Sequence, residues 1–205
     1  MASGFDYKKA FPELYNPGRT PSIVDVPEIN FLSVDGEGDP NGPAFAEAVE
    51  ALYSVSYAVR MSHRSADVPA GYYGYRVFPL EGVWDLLDYS KPASDKKNLK
   101  YSLMIRQPDF LTEALFQRFL AATMAKKSNP RLPDLRLAAV TEGLCCQMLH
   151  VGPFEAEEET FTMMAAFCAR NGFERISLLH REIYLSDPRR TAPDRLRTIL
   201  RFKVD

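Results

Sequence analysis

The spacing of apolar and polar positions changes several times along this chain. A strand pattern begins at Ser22, breaks at Pro27 and resumes as "NFLSVDGEG". "PNGP" punctuates the chain. Phe45, Ala48, Val49, Leu52, Val55 and Val59 then recur at the spacing of a helix with one apolar face. "HRSADVPAGYYG" reads as a loop, and "YYGYRVFPLEGVWDLLD" as a strand disturbed by a proline and a glycine. "SKPASDKKN" is a polar turn before the strand "LKYSLMIRQ". Asp109, following Pro108, is placed to cap a helix in which Leu111, Ala114, Leu115, Phe119 and Ala122 repeat at three and four. That helix ends near "KKSNPRLP".

The succession then begins again. "GLCCQMLHVGPF" predicts a strand, and "EAEEETFTMMAAFCARNG" a helix with acids in its first turns and a glycine stop. "ISLLHREIYLS" is a strand, "TAPDRL" a capping box (Thr191 with Asp194) opening one helical turn, and "TILRFKV" a last strand. Each half is thus strand–helix–strand–strand. The expected fold is α+β, a tandem duplication with antiparallel sheets, helices on one face and a ligand cleft at the junction. Its expected boundaries are an arm at 1–21, irregular or a short helix, and one domain at 22–205. Within the domain, repeat one spans about 22–107, a connecting helix about 109–127 and repeat two about 136–205.

One strand carries unusual cargo. Successive strand side chains point to opposite faces, so His180, Glu182 and Tyr184 share a face, and Leu179, Arg181, Ile183 and Leu185 share the other. An imidazole, a carboxylate and a phenol in a row are a candidate wall for a polar or aromatic guest.

Composition narrows the classes. The 205 residues are 46% hydrophobic and 12% aromatic, enough for a substantial core. The net charge of -2 gives no basic footprint for direct nucleic-acid binding. The cluster Arg189, Arg190, Arg195, Arg197 and Arg201 reads as a solvated edge. No apolar run is long enough for a membrane helix, and "MASGFDYKKAFPELYNPG" lacks a signal-peptide layout. Cys145, Cys146 and Cys168 form neither a disulfide framework nor a zinc spacing, so Cys146 and Cys168 are read as small core residues of a cytoplasmic protein. Three histidines (63, 150 and 180) without HExxH, no calcium loop, no phosphate loop in "GEGDPNG" and no GxSxG elbow predict neither metal nor cofactor.

"VFPLEGVWDL", "LMIRQPDFLTEAL", "EGLCCQMLHVGPF" and above all "EIYLSDPRRTAPDRLRTILR" resemble the stand-alone GyrI-like small-molecule-binding family, from about Val24 to Val204. The resemblance implies two strand–helix–strand–strand units around a central cleft. The same fold serves as the effector-binding domain of multidrug-sensing regulators and as a gyrase-inhibitory protein, and some stand-alone members hydrolyse cyclopropane-bearing DNA-alkylating natural products. It places the pocket carboxylate at Glu182 and an aromatic wall at Trp84. The family pattern would read "GLWW" and a second histidine before the glutamate; here Asp85 replaces one aromatic wall, and Arg181 stands on the face opposite Glu182.

The resemblance and the residue chemistry together nominate a site. Glu182 and Tyr184 are the catalytic candidates, as water-activating base and as donor to a forming oxyanion, a role Tyr75 could also fill. Trp84, Tyr73 and Tyr75 offer flat stacking faces, Met104 and Met148 pliable filler, and His180 a polar partner. Glu81 is either a second pocket acid or a turn residue. The expected activity is binding of planar, partly aromatic xenobiotics and their detoxification by hydrolysis. The alternatives are a non-catalytic sensor or sink or, as the resemblance alone implies, an interaction protein that restrains DNA gyrase; under each reading a monomer or homodimer is expected. With only 21 residues before the domain, no DNA-binding helix-turn-helix is expected.

Overall fold

The computed structural model describes residues 5–65, 67–92 and 94–205. Met1 to Gly4 of the arm, Ala66 of the first predicted loop and Ala93 of the polar turn lie outside the described residues. The chain is α+β and forms two compact units: Phe5 and Asp6 with Ile29–Phe78 and Leu86–Val140, and Tyr7–Glu28 with Pro79–Asp85 and Thr141–Asp205. These units are not the two halves of the chain. Strands β1 (Ser22–Val26) and β3 (Leu80–Leu86), from the first half, pair with β6 (Gly143–Val151) and β7 (His180–Tyr184) in the second unit.

In the first unit, β2 (Ile29–Glu37) pairs antiparallel with β4 (Leu99–Arg106) on one side and β5 (Arg136–Val140) on the other. Helix α3 (Pro43–Arg60) opens on a proline, whose missing N–H costs nothing at a helix start. It buries Ala48, Leu52, Val55 and Val59 along the predicted stripe. Helix α4 (Glu113–Met124) differs from expectation. Its cap is Thr112, whose hydroxyl accepts from the Leu115 N–H at 3.3 Å, and it buries Phe116, Leu120 and Thr123 while Ala114 and Ala122 are exposed. Pro108 and Asp109 instead form a turn closed by Leu111 N–H donating to the Pro108 carbonyl. Residues 72–79 make no continuous strand, and only Tyr75 bridges, to Phe5. Gly74 adds no side chain to pack, and Pro79 lacks the N–H a ladder needs.

In the second unit the strands run in the order β1-β6-β8-β7-β3, with β8 at Arg197–Lys203, all antiparallel. Helix α5 (Glu157–Arg170) packs on β6, and Met164 and Cys168 join Cys146, Met148, Leu200, Phe202 and Val204 in one apolar cluster. Helix α5 stops at Gly172, whose φ of 76° is the left-handed turn that glycine adopts without strain. Helices α1 (Tyr7–Ala10) and α2 (Pro12–Tyr15) precede β1. The Thr191–Asp194 box does not form: Pro193–Arg195 is a tight 3-10 turn with no side-chain cap, and the Thr191 N–H donates to the Asp187 carbonyl instead. Strand β7 is also shorter than predicted, since Ile176 and Leu178 are exposed ahead of it.

Candidate functional site

Strand parity places the polar row as predicted. Along β7, Arg181 and Ile183 are buried, while His180, Glu182 and Tyr184 are half-buried on the other face. Register sets their neighbours: Gly82 of β3 lies opposite Glu182, and Trp84 opposite His180. The absence of a side chain at Gly82 is what lets Trp84 lean back along its own strand. A Cβ there would stand 2.7 Å from the indole Nε1 and 3.1 Å from the Tyr184 hydroxyl. Through that gap the Trp84 N–H donates to the Tyr184 oxygen at 2.8 Å.

The chain of hydrogen bonds continues. The Tyr184 hydroxyl donates to Glu182, and burial together with the neighbouring Glu182 charge raises the phenol well above its ordinary value. His180 Nε2 lies 3.3 Å from the Glu182 carboxylate. From above, the first turn of α5 presents Glu157, which is 8% exposed and hydrogen-bonded to Glu182. Burial first, and then the Glu182 charge and that bond, push the Glu157 carboxyl up to about 10. Its Oε1 makes no hydrogen bond among the described residues. Aromatic edges enclose the group: Phe154 meets Tyr184 at 6.0 Å and Phe161 meets His180 at 4.9 Å between ring centres.

Glu81 does not join this set. It lies opposite Ile183 on the other face, 1% exposed, and accepts from Arg181 at 2.8 Å and from the Tyr15 hydroxyl at 3.1 Å. Arg181 Nε reaches Glu142 at 2.9 Å. Arg201, expected on a solvated edge, is buried here: it meets Glu142 at 3.2 Å, Gln147 at 2.9 Å and the Leu14 carbonyl at 2.9 Å. Burial alone would raise Glu142, but the two guanidiniums outweigh it and hold the carboxyl below its ordinary value. The turn reading of Glu81 also fails, because it is a strand residue in a buried ion pair.

The remaining candidates divide between the two units, Met148 sharing the Glu182 face through Leu200. Tyr73 and Tyr75 belong to the first unit, where their rings meet edge-on at 5.9 Å and both contact Phe110. The Tyr75 hydroxyl is buried without a hydrogen bond. Met104 is buried opposite Ser33 in that unit, and Met148 packs opposite Leu200 beneath α5. His150 is satisfied by Thr160 at 2.8 Å and the Pro153 carbonyl at 3.1 Å. The cysteines are buried, and burial raises the Cys145 thiol to about 11, so it is no ready nucleophile.

Glu157 is the residue that sequence reasoning missed. Its run of acids looked like ordinary helix-start chemistry. The available signal was spacing, since Glu157, Thr160, Met164 and Cys168 repeat at three and four on the buried face of α5. Among the described residues no group of three or more His, Cys, Asp or Glu side chains is placed to hold a metal ion. Among them, too, no helix is long and apolar enough to cross a membrane.

No curated protein matches the sequence. Among solved structures, an uncharacterized conserved protein from Listeria innocua is 37% identical, with a TM-score of 0.93, over 98% of this chain and 100% of that one. A hydrolase from Listeria innocua is likewise 37% identical, with a TM-score of 0.90 over 98% of this chain and 100% of that one. The C-terminal domain of EcmrR, at 12% identity and a TM-score of 0.54 over 91% of this chain and 97% of that one, shares the fold. Residues 19–205 match the GyrI-like small molecule binding domain, and the chain belongs to that family.

Proposed function

We propose that this protein hydrolyses cyclopropane-bearing, DNA-alkylating small molecules, with Glu182 as the base. The observation that carries the reading is a carboxylate held by Tyr184 and Glu157 beside Trp84, on a face edged by Phe154 and Phe161. A relative of 37% identity described as a hydrolase supports it. In the reaction, water oxygen bonds to the cyclopropane carbon while Glu182 takes the water proton. The ring carbon–carbon bond breaks, and its electron pair flows into the dienone, which becomes an aromatic phenolate. The phenolate takes a proton from solvent, and Glu182 returns its own. Trp84 borders the fused ring and keeps it in line.

Tyr184 takes a different part from the oxyanion donor expected above. It spends its single O–H on Glu182 while accepting from Trp84, so it orients the base. The same observation favours a second reading, a binding protein without chemistry, because the Tyr184 O–H and the Trp84 N–H are both already engaged and neither is left over for a forming oxyanion. Incubation with a duocarmycin-type cyclopropane compound, followed by mass spectrometry, separates the two. Hydrolysis predicts gain of one water over many turnovers, and a loss of about a hundredfold or more in Glu182→Gln. An unchanged compound that quenches fluorescence of Trp84, the only tryptophan, would establish binding alone.

A further inference from the structure

Two carboxylates cannot hydrogen-bond to one another, because an ionised carboxyl group only accepts. The bond between Glu157 and Glu182 therefore requires a proton. The surroundings decide which residue keeps it. Glu182 already receives the Tyr184 hydroxyl and lies 3.3 Å from His180 Nε2. Glu157 has no such company: its Oε1 is buried without a partner, and the further charge acting on it is another acid, Glu155, in the turn before α5. The start of a helix favours negative charge, but burial beside two other acids works against it here.

We propose that Glu157 is a positioning residue: it keeps its proton in the resting protein and donates it to Glu182, so the two carboxyl groups share one negative charge and Glu182 turns a fixed lone pair toward the attacking water. With Tyr184 and Glu157 both donating, the Glu182 carboxylate cannot swing. Its remaining acceptor position is the one a water or a ligand donor meets. During turnover the pair goes from one proton to two as water is deprotonated, and back to one as a proton leaves to solvent. At no stage are two negative charges buried side by side. This inference concerns the site proposed above, and as a statement about catalysis it rests on that reading. The shared proton itself does not.

Two measurements test it separately. In protein labelled with carboxyl-13C glutamate, Glu157 should titrate far above the ordinary acid range, and Glu157→Gln should remove that transition while leaving any late transition of the buried Glu81 in place. If every glutamate carbon titrates in the ordinary acid range, or if no late transition is lost in Glu157→Gln, the shared proton is refuted. The second measurement is the pH dependence of kcat/KM on the cyclopropane compound. The wild-type protein should lose activity on the alkaline side as Glu157 ionises. Glu157→Gln keeps an N–H donor toward Glu182 but cannot ionise, so that decline should disappear. Glu157→Ala supplies no donor, and its kcat should fall about tenfold with KM little changed. An identical alkaline decline in Glu157→Gln would overturn the positioning role even if the protein folds normally. If the wild-type protein turns over no cyclopropane compound, the hydrolase reading fails, and the carbon titration alone judges the pair.

Discussion

The two faces of β7 differ by one residue in sequence and by an entire charge balance in structure. Toward one face, Arg181 meets Glu81 and Glu142, and Arg201 meets Glu142 again, so two guanidiniums face two carboxylates. Toward the other, Glu182 and Glu157 stand together with Tyr184, Trp84 and His180, and the guanidinium on this side, Arg175, lies over Phe161 and Phe202 and donates to the Ser177 and Leu178 carbonyls instead of to either acid. Both groups are buried or nearly so. A buried ion network whose charges cancel is scaffold, whereas a buried acid pair that no guanidinium meets relaxes by holding a proton or meeting a guest. The contrast explains why Arg181 is compatible with the site: strand parity sends it into the balanced face, where it ties down the strand that displays Glu182.

The comparison can be broken most severely from the balanced side. Arg181→Ala leaves Glu81 and Glu142 short of a buried cation, and equilibrium unfolding should show a loss of about 3–5 kcal/mol. Gly82→Ala is next: its new Cβ meets the Trp84 indole and the Tyr184 hydroxyl, so about 1–3 kcal/mol should be lost. Trp84 emission should shift as the indole is displaced.

On the acid side the sign reverses. The Glu157 carboxyl is raised in the folded protein to about 10 from an ordinary 4.5, so the native state keeps a proton that the unfolded chain releases. Its contribution is intact below about pH 4.5 and is lost progressively as pH rises toward 10. Glu157→Gln should flatten that slope and raise stability at pH 8 by about 1–2 kcal/mol. Denaturation at pH 5 and pH 8 in both proteins checks it, and a loss of stability at pH 8 would count against it. The smallest effect belongs to Trp84→Phe, which removes the N–H donated to Tyr184 and should cost about 1 kcal/mol beyond the change in ring size.

Much of this arrangement was legible beforehand because it depends on period. The alternation in "HREIYL" sorted Glu182 from Arg181, and the three-and-four spacing in "AFAEAVEALYSVSYAV" located the buried stripe of α3. Legibility failed where several local solutions compete. Asp109 and Thr112 are both good caps, and only the docking of Phe116 and Leu120 selects the second. Thr191 and Asp194 match a capping box, yet the chain must turn directly into β8 and leaves room for one tight turn. Arg201 looked like one of five surface arginines until β8 took its place between β6 and β7, far from either sheet edge of its unit.

The sequence by itself determined the succession of the main strands and helices and the face on which each β7 residue lies, because these follow from nearest-neighbour geometry; the family resemblance came from its motifs, "EIYLSDPRRTAPDRLRTILR" above all. Only the tertiary structure decided which charges meet. Glu81 could have served the pocket, and Glu157 could have been one more exposed acid at a helix start. Pairing β3 with β7 sends Glu81 to Arg181, and docking α5 over the sheet sends Glu157 to Glu182. Such meetings join residues 25 positions apart (157 and 182) or 100 apart (81 and 181), and no local period encodes them. They are set by the burial of apolar faces, which carries the charged groups along with it.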